Sequence, residues 1–150
     1  MLEKAGLIVQ LGAWVMRQAA EQCAQWNREF ALEPRLVVSV NVSAKQLRME
    51  LVDEVGTVLE ATGMHPSTLK LEFTETATID RPSEVAGVLA RCKELGVEVW
   101  VDDFGTGYSS LAHIQRFPID GVKLDKSFVD PLDGTPQGST MARAVLEIAA

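Results

Sequence analysis

The sequence predicts an α/β fold organised around a parallel sheet, on three observations. Short β-branched runs recur roughly 25 residues apart, stretches with apolar residues at helical spacing lie between them, and each run ends in polar or charged residues. Strand, helix, strand units of this kind are right-handed crossovers, and they make their strands parallel.

The first element lies within residues 2–30, where Leu7, Leu11, Trp14, Val15, Cys23, Trp26 and Phe30 fall at helical spacing. Gly6 and Gly12 are breaks near its start, so one long helix or two consecutive ones fit. Pro34 ends that region. Residues 36–42, Leu-Val-Val-Ser-Val-Asn-Val, read as a strand with Asn41 at its carboxyl end. Ser43 and Gln46 have the spacing of a capping box, which predicts a helix through Leu47, Leu51, Val55, Val58 and Leu59 up to Gly63.

The unit then recurs without a sequence repeat. Residues 66–69 turn the chain, and residues 70–74 make a second strand with Glu72 inside it and Glu75 just past it. Pro82 opens a helix that ends with Gly96. Residues 97–102 form a third strand running into Asp102, Asp103 and a loop with Gly105 and Gly107. Ser109 or Ser110 caps a short helix through Leu111 and Ile114, stopped by Pro118. Residues 121–125 form a fourth strand with Lys123 and Asp125, residues 133–138 a loop, and residues 140–150 begin another helix. Two architectures accommodate these units. In an eight-unit barrel the site lies at the carboxyl ends of the strands, and in a doubly wound sheet it lies where strand order reverses. Either one gathers Asn41, Glu72, Asp102, Asp103, Lys123 and Asp125 at one end of the sheet.

Composition narrows the function. The chain has 150 residues, 47 % hydrophobic and 23 % charged, with a formal charge of −7. That is an ordinary globular composition, and the negative balance argues against a nucleic-acid partner, which needs a basic face. No apolar run is long enough for a membrane segment and no secretory signal precedes the first helix, so a cytoplasmic location is expected. Cys23 and Cys92 do not make a disulfide framework and read as small buried hydrophobes, while His65 and His113 have no second ligand nearby.

The adjacent aspartates carry the strongest chemical signal. Two carboxylates about 4 Å apart repel by roughly 4 kcal/mol at the effective dielectric of a protein surface, so a fold that holds them together must protonate one or supply a cation. Oxygen ligands favour a hard divalent ion over zinc. The plainer account is that Asp102 closes the strand while Asp103 caps the turn, and Lys123 taken alone is a solvated lysine at a strand end. Convergence of polar residues from four strands weighs against that account.

Val-Asn-Val-Ser (40–43), Leu-Glu-Phe-Thr-Glu (71–75), Asp-Asp-Phe-Gly-Thr-Gly-Tyr-Ser-Ser (102–110) and Val-Lys-Leu-Asp-Lys-Ser-Phe-Val (122–129) together resemble the EAL-domain family of bacterial cyclic di-GMP phosphodiesterases. The segments Ala-Gly-Leu-Ile (5–8) and Leu-Gly-Ala-Trp-Val (11–15) look like the helical stretch that precedes the first of these motifs. The resemblance covers essentially the whole chain, in order and spacing. It implies a partial TIM-like (β/α) barrel of about four βα units that hydrolyses cyclic di-GMP to linear pGpG with two Mg²⁺ or Mn²⁺ ions. By the same resemblance Asn41 and Glu72 bind one ion, Asp102 bridges both and Asp103 binds the second. Lys123 holds or helps deprotonate the attacking water, and Asp125 supports that network. Glu75 anchors the loop of Phe104, Gly105, Thr106, Gly107, Tyr108, Ser109 and Ser110, which the family links to a homodimer interface.

The family's Glu-Ala-Leu segment with its substrate-contacting arginine, and its later Ala-Glu-Gly-Val-Glu and Gln-Gly-Tyr segments, are not in this sequence. The expectation is therefore an EAL domain incomplete at both ends, with little hydrolysis by the 150-residue chain alone. Raw sheet edges are expected to pair or aggregate. Tethering to a membrane through other domains is compatible with this. The competing reading is a non-catalytic module that binds cyclic di-GMP or a protein partner.

Overall fold

The computed structural model describes residues 7–31, 33–104 and 114–126. A single helix, α1 (Leu7–Phe30), opens them. Its spacing is helical as expected, but the stripe it buries is Met16, Ala20, Cys23 and Ala24. Of the residues that signalled the helix, Leu7, Leu11, Trp14, Val15, Trp26 and Phe30 are exposed. Small side chains let α1 lie close to its neighbours. At Gly12 a Cβ would come within 2.0 Å of the Gln46 amide nitrogen.

Strand β1 (Val38–Asn41) begins two residues later than its β-branched run. The cause is Asn27, whose side-chain oxygen accepts from the Leu36 N–H at 2.7 Å and whose amide donates to the Leu36 carbonyl at 3.0 Å. Those bonds take the groups a strand would offer a neighbour. Helix α2 (Met49–Thr62) also starts later than its capping signal. Gln46 Oε1 does accept from the Ser43 backbone N–H and hydroxyl, at 3.1 and 3.0 Å, but the pair closes a turn rather than the first turn of the helix. Gly63 ends α2 as expected, in the left-handed conformation with φ 63° that a Cβ disfavours.

After a 3₁₀ turn at Pro66–Thr68 come β2 (Leu69–Thr74), a second such turn at Glu75–Thr78, α3 (Pro82–Glu94), β3 (Glu98–Phe104) and β4 (Gly121–Leu124). The short helix through Leu111 and Ile114 falls largely outside the described residues, and His113, the 133–138 loop and the 140–150 helix lie wholly outside them.

The four strands are parallel and stand in the order β1-β2-β3-β4. Order that follows the sequence without reversal is the winding of a (β/α) barrel; a doubly wound sheet would show a switch point. Alternation along each strand then separates two faces. Val40, Leu69, Leu71, Phe73, Val99 and Val101 are buried on one of them, in a single core with Leu51 and Val55 of α2 and Val85, Val88 and Leu89 of α3. The opposite face presents Ser39, Asn41, Lys70, Glu72, Thr74, Glu98, Trp100 and Asp102.

Candidate active site

Register brings the polar side chains into line. Asn41 pairs with Glu72, Glu72 with Trp100, and Thr74 with Asp102, so an amide and two acids from three strands stand in adjacent rows near the strand ends. Asn41, Glu72, Asp102 and Asp103 line one cavity of about 740 Å³, together with Ser43 and Gln46 from the loop after β1. Its far wall is apolar, built from Leu11 and Val15 of α1.

Strict alternation would send Asp102 and Asp103 to opposite faces. A register irregularity between Val101 and Phe104 solves this, two residues of β3 standing against one of β4. Asp103 takes φ 53° there, a left-handed conformation that aspartate tolerates better than most residues. The bulge is why both carboxylates line the same cavity. An Asp-Asp pair announces none of this in sequence, because the signal of a bulge is the partner strand's register.

Glu72 is the buried member, 2 % exposed. Lys123 donates to its Oε2 at 2.5 Å, reaching over from β4, while Oε1 is buried without a hydrogen-bond partner among the described residues. Burial pushes the Glu72 carboxyl up. Hydrogen bonds from Lys123 and Ser39, with the charges of Lys123 and Lys70, outweigh burial and leave the group below the usual carboxylate range. Lys123 itself is 45 % exposed, a side chain lying at the open end of the sheet. Lys70 and Ser39 were not singled out from sequence. Both fall on Glu72's side of the sheet, Lys70 two positions before it on β2 and Ser39 two before Asn41 on β1, and that period of two was the available signal.

The remaining candidates are more dispersed. Glu75 is buried in the 3₁₀ turn after β2, where its carbonyl accepts from the Thr78 hydroxyl at 2.8 Å. Asp125 follows β4, its backbone N–H donating to the Phe104 carbonyl at 3.3 Å. Phe104 ends β3, half-buried against the core. Gly105, Thr106, Gly107, Tyr108, Ser109 and Ser110 lie outside the described residues.

Oxygen donors of this kind suit a hard divalent cation, and Glu72 Oε1, buried with no hydrogen-bond partner found among the described residues, is placed to offer such an ion a lone pair. Among the described residues, no three of His, Cys, Asp and Glu stand close enough together to hold one as they are. The ammonium of Lys123 supplies the counter-charge at Glu72 instead. The residues present thus fit a metal in kind, with Lys123 competing for one of them.

Comparison with known proteins points to one family. The family model described as EAL domain matches residues 1–150. The chain is 39 % identical over 150 residues to the cyclic di-GMP phosphodiesterase PA2567 of Pseudomonas aeruginosa, covering 99 % of this chain and 25 % of that protein. It is 37 % identical over 148 residues to the cyclic di-GMP phosphodiesterase PdeR of Escherichia coli, covering 98 % and 22 %. The chain therefore spans about a quarter of the length of these relatives. Among solved structures it resembles the PaMucR phosphodiesterase in complex with c-di-GMP, with a TM-score of 0.85, 34 % identity, and 98 % of this chain matched to 63 % of that one. The EAL domain of Mycobacterium smegmatis DcpA gives a TM-score of 0.84 at 34 % identity, over 93 % of this chain and 62 % of that one.

Proposed function

This chain belongs to the EAL domain family, and from that premise we propose that it is the core of a cyclic di-GMP phosphodiesterase, opening one phosphodiester of the cyclic dinucleotide to give linear pGpG. The observation that carries the reading is the meeting of Asn41, Glu72, Asp102 and Asp103, from three different strands, on one cavity, with Lys123 bonded to Glu72.

In this reading Asn41 and Glu72 would hold one Mg²⁺ or Mn²⁺ ion and Asp103 a second, with Asp102 serving both. Such ions would supply Lewis acidity at phosphorus and a water whose pKa is brought to about 7. The chain's own residues do the rest. Lys123 orients the attacking water and offsets phosphate charge, for which its ammonium must leave Glu72. Asp125, just past the end of β4, supports Lys123. Leu11 and Val15 of α1 give the cavity one apolar side. Glu75 anchors the 104–110 loop, and through it a homodimer. A cytoplasmic location belongs to the same reading; no helix among the described residues is long and apolar enough to cross a membrane.

A second reading, a non-catalytic module binding cyclic di-GMP or a protein, draws on the Lys123–Glu72 ion pair, which already fills one metal-facing position. Titrating the chain with fluorescent cyclic di-GMP, with and without Mn²⁺, separates the two. Metal-dependent binding that disappears in Asp102→Asn is the result expected of a phosphodiesterase core. Binding indifferent to both Mn²⁺ and Asp102→Asn supports the non-catalytic module.

A further inference from the structure

Lys123 and Glu72 belong to strands that are not neighbours. β3 lies between β4 and β2. Adjacent strands stand about 4.8 Å apart, so the ion pair spans about 9.6 Å of sheet and the Lys123 side chain must lie across β3. On that face β3 offers Glu98, Trp100 and Asp102, and the bulge turns Asp103 to the same cavity. Glu72 pairs with Trp100, while Lys123 follows Val122, the partner of Val101, so the crossing passes on the Asp102 side of Trp100.

The indole has a fixed seat. A Cβ on Gly121 would fall 2.5–2.6 Å from three carbons of its six-membered ring, so the ring rests on the Gly121 backbone, two residues before Lys123. The Trp100 Nε1–H donates to Glu98 Oε2 at 2.8 Å, Lys70 Nζ stands 4.2 Å from the ring centroid, and Lys70 pairs with the same Glu98 oxygen at 3.1 Å. Edge, face and underside of the ring are each occupied. A residue this well held can serve as a rail, and glycine at 121 is required for room rather than for backbone freedom.

We propose that Trp100 is a positioning residue for Lys123. Seated on Gly121 and clamped by Lys70 and Glu98, its ring forms the lower wall of the trough along which Lys123 crosses β3 to reach Glu72. Trp100 thereby sets how much of the time Glu72 is closed by the ammonium and how much it is open to a cation. The cation arm of this inference rests on the metal-dependent reading above; the ion-pair arm does not.

The test is the coupling between Lys123→Met and Glu72→Gln, read as a double-mutant cycle in urea unfolding and repeated with residue 100 or 121 changed. The coupling should vanish in Trp100→Ala and in Gly121→Ala. It should return in part in Trp100→Phe/Gly121→Ala, where the smaller ring makes room for the new methyl. Should Gly121→Ala fail to fold, Trp100→Ala, which removes bulk, decides alone. A second readout is Mn²⁺ affinity. Trp100→Ala should bind Mn²⁺ severalfold more tightly, as Lys123→Met does, and should add nothing in the Lys123→Met background; general disruption of the site would weaken binding instead. Coupling unchanged by both Trp100→Ala and Gly121→Ala overturns the inference. Absence of Mn²⁺ binding by the unmutated chain would sink the phosphodiesterase reading and leave the coupling cycle, which needs no metal, to judge Trp100.

Discussion

The two faces of one sheet divide the labour of this molecule. Against the helices, β1 to β3 present Val40, Leu69, Leu71, Phe73, Val99 and Val101, all at most 3 % exposed and without a polar atom among their side chains. On the other side the same strands present Ser39, Asn41, Lys70, Glu72, Thr74, Glu98, Trp100 and Asp102, and Lys123 of β4 reaches in among them. Outside the bulge at Asp103, one residue separates a core position from a site position. The difference teaches that stability and chemistry are separable here by the parity of a residue along its strand, and four probes ask how cleanly.

Phe73→Ala should have the largest effect. It deletes a ring from the dry face, and truncations of that kind cost about 3–5 kcal/mol, a large share of the 5–15 kcal/mol that typically holds a domain together. Urea unfolding should show a greatly lowered midpoint or no folded baseline. On the polar face, Lys123→Met should cost less, about 1–2 kcal/mol, because it leaves the Glu72 charge without its partner at a pair that is open to water on the lysine side. Equal losses from the two would erase the distinction between the faces.

A third probe is acid. The Glu72 carboxyl lies below its ordinary value of 4.5 in the folded chain, so the unfolded chain binds its proton more tightly. Its contribution is complete above the ordinary value and is lost as pH falls through the lower, folded one. Melting temperature followed from about pH 6 to about pH 3 should fall less steeply in Glu72→Gln than in the unmutated chain. The smallest expected effect is at Cys92, on the dry side. Burial pushes its thiol up to about 11. Iodoacetamide at about pH 8 should leave Cys92 unmodified until the chain unfolds, since the thiolate is the reactive form.

Much of this division was legible in the sequence. Strand and helix alternation, the ends of α2 and α3, and the gathering of Asn41, Glu72, Asp102 and Lys123 at strand tips all follow from patterning that parallel sheets impose. Membership of the family was legible too, from four linked motifs. Parity was harder. The Val-Glu-Val-Trp-Val run of β3 alternates visibly, whereas Leu-Glu-Phe in β2 gives no hint that Glu72 is as buried as Phe73, because the covering group is Lys123, fifty-one residues away. The late start of β1 depends on Asn27 in another element, and the bulge that turns Asp103 depends on the register of β4. Exposed apolar residues misled the reading of α1. Periodicity finds a helix, but small residues chose the face that packs.

Direct titration of Mn²⁺, followed by electron paramagnetic resonance, tests the central claim that the polar face is a cation site held shut by Lys123. The unmutated chain should bind saturably, Asp102→Asn and Glu72→Gln should lose binding, and Lys123→Met should gain affinity. Mn²⁺ affinity that is the same in all four proteins, or weaker in Lys123→Met, would contradict it.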